Sequence, residues 1–90
     1  MSRFQSSTTP RFWKLFAELP AEVQDLAFEK YELFKKDPYH PSLRFQAKGK
    51  AWTVDIGRSH RAIAYRSENL LSWFWIGTHE DYNNVLKRVQ

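Results

Sequence analysis

Groups that can move a proton or hold an anion crowd the second part of this 90-residue sequence: Arg44, Lys48, Lys50, Arg58, His60, Arg61, Arg66, His79 and Tyr82. Imidazole serves as acid or base near neutral pH, guanidinium holds anionic oxygens, and a phenol can donate a proton. Together these groups suit cleavage of an RNA phosphodiester without a metal. That reaction needs a base for the 2′-hydroxyl proton, cations to offset charge on the pentacoordinate phosphate, and an acid for the leaving 5′-oxygen.

Each candidate also has a structural reading. His79 follows Gly77 at an expected strand-to-helix junction, where its imidazole either projects as a catalytic group or is a first-turn residue of the capping sequence Thr78-His79-Glu80-Asp81. Arg61 begins a strand and either reaches a phosphate or pairs with Asp55 across a hairpin. Tyr82 packs by its ring or offers its hydroxyl; His60 is a turn residue or touches substrate; His40, between two prolines, reads as loop structure. Trp73, Phe74 and Trp75 read as core rather than as a base-stacking surface. Lys48-Gly49-Lys50 is a solvated turn or a nucleic-acid contact.

Other chemistries find little support. The three histidines are far apart in sequence and none has a partner at a known metal-ligand spacing, so no metal or other cofactor is expected. The absence of cysteine removes thiolate nucleophiles and disulfides. The three glycines mark strand ends or turns, not a phosphate-cradling loop or a nucleophile elbow.

The elements that must position the candidates follow from periodicity. Thr8-Thr9-Pro10 supplies a cap and a proline at a helix start, with Phe12, Leu15, Phe16 and Leu19 at helical spacing, predicting a helix over 10–18. Pro20 starts a second helix ending near Lys35-Lys36, with Val23, Leu26, Ala27, Tyr31 and Phe34 facing inward. Asp37 to Pro41 is a loop. Leu43, Phe45 and Ala47 alternate with Arg44 and Gln46 in a strand; Trp52, Val54 and Ile56 alternate with Thr53 and Asp55 in the next. Further strands are expected over 61–66 and 70–76, the last apolar on both faces and so central or helix-covered. A short helix closes the chain with Tyr82, Val85, Leu86 and Val89 buried, and residues 2–7 add an edge strand.

Ninety residues suffice for one core, and 42% hydrophobic and 17% aromatic content supplies large side chains to fill it. The net charge of +4 favours an anionic partner, nucleic acid or an acidic protein segment. No apolar run has membrane-spanning length and Met1 to Pro10 lacks a signal-peptide segment, so a cytoplasmic protein without a membrane partner is expected.

Five segments, in order and spacing, resemble the RelE/ParE toxin superfamily over residues 9 to 87. They are Leu19-Pro20-Ala21-Glu22-Val23-Gln24, Asp37-Pro38, His40-Pro41-Ser42-Leu43-Arg44-Phe45, His60-Arg61-Ala62, and Trp73-Phe74-Trp75-Ile76-Gly77-Thr78-His79-Glu80-Asp81-Tyr82. The resemblance implies an α+β fold, an N-terminal helical hairpin packed on a small antiparallel β-sheet meander with a short C-terminal helix, as one domain over 1–90. It implies a type II toxin. The RelE, YafQ and HigB branches are metal-independent endoribonucleases that cleave mRNA on the ribosome, and each is neutralised by an antitoxin encoded beside it. The implied partners are therefore a cognate antitoxin, in a toxin-antitoxin hetero-oligomer, and the ribosome with its mRNA.

By position, Arg61 resembles the arginine that contacts the scissile phosphate, His79 the basic residue after the last strand, and Tyr82 the aromatic of the terminal helix. His60 assists, and Arg44, Lys48, Lys50, Arg58 and Arg66 are expected to bind RNA. Two positions depart from the pattern: Asp55 stands where a basic residue is frequent, and Gln46 where lysine is frequent. ParE branches share the fold but act on gyrase, so a gyrase-directed toxin or an inactive, antitoxin-binding relative is the alternative.

Overall fold

The computed structural model describes residues 4–89. Thr9 caps the first helix, α1 (Pro10–Ala17), its hydroxyl accepting from the Phe12 N–H at 3.1 Å, with Pro10 in the first turn where no amide hydrogen is needed. Pro20 separates α1 from α2 (Ala21–Lys36). The Gln24 side-chain amide donates to the Phe16 and Leu19 carbonyls at 3.0 and 3.2 Å, tying the first turn of α2 back to the end of α1.

Five strands form one sheet, β1 (Gln5–Thr8), β2 (Gln46–Lys48), β3 (Ala51–Ile56), β4 (His60–Ser67) and β5 (Leu70–Thr78), in the order β1-β5-β4-β3-β2. The β2 to β5 run is the expected antiparallel meander. The expected edge strand also forms over Gln5–Thr8, but it pairs with β5 in parallel, so the sheet is mixed; residues 2 and 3 of that expectation lie outside the described residues. Because β1 and β4 flank it, β5 is an inner strand, which accounts for apolar residues on both its faces.

Phe34, Leu43, Phe45, Val54, Ile56, Ala62, Ala64, Leu71, Trp73 and Ile76 form the core beneath the helical hairpin. The C-terminal helix α3 (His79–Val89) covers the opposite face, where Tyr82 joins Ala51, Ile63 and Trp75. Trp73 and Trp75 serve different cores although period two would put them on one face. The β4–β5 register jumps from Ile63↔Trp75 to Ala64↔Trp73, and Phe74 is the extra residue of this bulge.

Three expectations are corrected. Leu43 is not in a strand: Pro41–Leu43 form a 3-10 turn, capped by His40 Nδ1 accepting from the Ser42 N–H at 3.1 Å, and the strand begins only at Gln46. Arg44 leaves the turn at φ +46°, Leu43 and Phe45 are both buried, and Ala47 is exposed. Tyr31 is 43% exposed rather than inward, because it stands with Phe28 on the rim of an open cleft between α2 and the sheet. Thr53, expected to face outward, is buried at 2% exposure, on the face that α3 covers.

Candidate functional site

Strand register builds the site. Asp55 lies opposite Arg61, and Arg61 opposite Gly77, so these positions share one face on three adjacent strands. It is the face that carries Ile63 and Trp75 and is covered by α3. Extending the β2–β3 register by one alternation brings Arg44 opposite Asp55, and a distance of 3.8 Å from Arg44 Nε to Asp55 Oδ2 agrees.

Asp55 is the centre of this row. Arg61 Nε lies 2.8 Å from Asp55 Oδ1, the two side chains being 15% and 17% exposed. Arg61 Nη1 also donates to the His60 carbonyl at 2.8 Å and to the Gly57 carbonyl at 3.5 Å. Gly57 sits at φ +67° with Leu26 Cδ2 only 2.7 Å from where a Cβ would lie, so the turn that offers these carbonyls requires glycine. The guanidinium is thereby held by one carboxylate and the backbone of its own turn.

His79 begins α3 two residues beyond Gly77, and its N–H donates to the Ser59 carbonyl at 2.8 Å, tying the helix start to the β3–β4 turn. The Thr78 hydroxyl accepts from the Asp81 N–H at 3.3 Å, so the capping reading and an exposed imidazole hold together. The His79 ring stacks on Tyr82 with centroids 5.9 Å apart and planes at 18°. Tyr82 in turn packs against Trp75, whose ring occupies the space above Gly77. Tyr82 is buried at 6% exposure and acts here as a support for His79.

The remaining candidates divide between faces. Lys48 lies opposite Ala51, on the same face as Arg61; Lys50 is exposed in the β2–β3 turn, and Arg58 is exposed in the turn beside Ser59. His60 pairs with Ile56 and Thr78, so alternation sends it to the hairpin face, away from Arg61. Arg66 also belongs to that other face. Its guanidinium lies 4.7 Å from the centroids of both Phe4 and Trp52, and its Nε donates to the Glu68 carbonyl at 2.7 Å. His60 and Arg66 thus lie on the sheet face opposite Arg61. Among the described residues no three of His, Asp and Glu come together as a metal-binding group.

One feature of the α3 face was not read from the sequence. Tyr65, opposite Ala51 on that face, is 46% exposed and stacks on Phe74 with centroids 4.3 Å apart and planes at 14°. Alternation along 61–66 would have placed Tyr65 with Arg61; the Phe74 partner depends on the bulge.

Residues 27–84 match the family model of the ParE-like toxin domain. The chain belongs to this family. The RelE/ParE resemblance of the sequence thus holds, and the architecture agrees with RelE/ParE toxins of known structure. A free-state mutant of the Escherichia coli toxin RelE is similar over 100% of each chain, at 16% identity and a TM-score of 0.65. The YoeB/ParE toxin from Agrobacterium tumefaciens aligns with 84% of this chain and 99% of its own, at 16% identity and a TM-score of 0.62. The archaeal RelE-RelB complex from Pyrococcus horikoshii aligns with 83% of this chain and 93% of that chain, at 13% identity and a TM-score of 0.61. At such identities the likeness is one of fold. No curated protein sequence matches this ParE-like chain. Among the described residues no helix is long and apolar enough to cross a membrane.

Proposed function

We propose that this ParE-like toxin domain is the toxin of a type II toxin-antitoxin pair and cleaves ribosome-bound mRNA in the cytoplasm. The reading is carried by one observation: Arg44, Asp55, Arg61 and Gly77 line up across one sheet face, and His79, two residues beyond Gly77, has its exposed imidazole stacked on Tyr82, which packs on Trp75 of that face. In this mechanism His79 is the acid or base, held in place by its stack on Tyr82 and by the backbone bond to Ser59. Arg61 offsets charge on the phosphorane, while Arg44, Lys48, Lys50 and Arg58 attract the RNA backbone. His60 and Arg66, on the other face, have no part in the chemical step. No bound cofactor is invoked.

A cognate antitoxin is the second partner. The solved RelE-RelB complexes are of similar fold. An open apolar cleft of about 250 Å³ between the helical hairpin and the sheet, bordered by exposed Trp13, Phe28 and Tyr31, is a surface of the kind protein partners cover.

The test is cleavage of mRNA in a translating extract by purified protein, followed by toeprinting, with His79→Ala as the control that should abolish it. The engagement of Arg61 by Asp55 favours a second reading, a toxin relative that binds its antitoxin without cutting RNA, or one directed at gyrase. Growth arrest with DNA damage and intact transcripts would replace the ribonuclease reading with the gyrase one.

A further inference from the structure

Tyr65 and Phe74 form an aromatic pair on the α3 face for which the mechanism above has no use. The Tyr65 ring is stacked on one side only: Phe74 lies parallel to it at 4.3 Å, and among the described residues no other ring or cation lies over it. The residue is nevertheless 46% exposed, although neighbouring Ala64 and Ile63 are fully buried. An aromatic surface held flat by a partner and open above is a platform for another flat π-system.

Its surroundings are cationic. Lys48, Ala51 and Tyr65 are register partners on β2, β3 and β4, so Lys48 flanks Tyr65 across two strand spacings, about 10 Å, with the small Ala51 between them. Lys50 is exposed in the adjoining turn. Arg61 lies on the same face four residues back along β4, about 13 Å away at the usual strand rise. A single nucleic-acid strand combines planar bases with a regularly spaced anionic backbone, and this face offers a planar ring beside lysines. An acidic polypeptide would match the lysines but not the single open ring.

We propose that the exposed face of Tyr65, backed by Phe74, is a stacking site for an unpaired nucleobase of RNA whose backbone runs between Lys48 and Arg61. This rests on the reading of the α3 face as the RNA-facing one. Stacking is indifferent to base identity, so the contact would secure the strand without selecting a sequence.

Binding of a short single-stranded RNA carrying a fluorescent base analogue tests the site, with Tyr65→Leu and Tyr65→Trp compared to the native chain. Leucine keeps apolar bulk and removes the π-face, and thermal denaturation shows whether each variant stays folded. Expected are a loss of affinity on the order of tenfold and loss of fluorescence quenching in Tyr65→Leu, with both retained in Tyr65→Trp. Unchanged RNA affinity in Tyr65→Leu, absence of RNA binding by the native chain, or an effect confined to antitoxin binding would each overturn the proposal. Cleavage is scored separately: an inert protein that binds RNA through Tyr65 would end the ribonuclease reading and leave this site standing.

Discussion

Asp55 Oδ1 lies 2.8 Å from Arg61 Nε across the β3–β4 hairpin, and the same carboxylate lies 3.8 Å from Arg44. One acidic side chain therefore offsets two of the cations that would meet an RNA phosphate. Asp55→Asn keeps the shape and removes the charge. RNA affinity should rise, and log affinity against log salt should steepen by about 0.7 for each cation freed to reach the single strand. Stability should fall by on the order of 1–3 kcal/mol as a mostly buried guanidinium loses its counter-charge. An unaltered salt slope would show that Asp55 does not mask the arginines.

His79→Ala should leave the fold intact. The imidazole is exposed, the bond to Ser59 is made by the backbone, and Thr78 still caps the helix. If His79 transfers a proton, cleavage in a translating extract should drop by about 10²- to 10⁴-fold with circular dichroism unchanged. A variant that cuts as well as the native chain would remove His79 from the chemistry.

Gly57→Ala should destabilise the protein. A Cβ there would lie 2.7 Å from Leu26 Cδ2 at a backbone angle of φ +67°. The cost is of order 1–3 kcal/mol, and each kcal/mol lowers the melting temperature of a domain this size by about 4–8 °C. Because the Gly57 carbonyl also accepts from Arg61, RNA cleavage should weaken beyond what the lost stability explains.

Gly77→Ala acts on the other support. The added methyl would meet Trp75 Cζ2 at 2.7 Å and push the indole toward Tyr82, on which His79 stacks. Near-ultraviolet circular dichroism should change at the tryptophan bands while far-ultraviolet helix and strand signals persist. Activity should fall with it. An unaltered aromatic spectrum would mean that Trp75 does not transmit the displacement.

Much of this molecule is legible in local pattern. The Thr9-Pro10 start, the Pro20 break, the Lys48-Gly49-Lys50 and Gly57 turns and the Thr78 cap are decided by neighbouring residues, through dihedral preferences and capping hydrogen bonds. Alternation also assigned Arg44 and Gln46 to one face, as the pairing of Gln46 with Thr53 and the approach of Arg44 to Asp55 bear out. Where tertiary packing competes, local pattern yields. Leu43 keeps its burial while leaving the strand, because the proline before it and the His40 cap favour a tight turn. Tyr31 has helical spacing for the core but stands on the rim of an open cleft between α2 and the sheet.

The sequence by itself determined the helices, the meander, the turns and the family, since these rest on interactions between residues close in the chain and on motifs in order. Tertiary structure decided the rest: the parallel pairing of β1 with β5, the bulge that sends Trp73 and Trp75 to different cores, and the separation of His60 and Arg66 from Arg61. It also decided the partner of Arg61, for which the chain had offered both a phosphate and Asp55. The reason is physical: register, bulges and ion pairs depend on distances between segments far apart in sequence, which no local periodicity encodes.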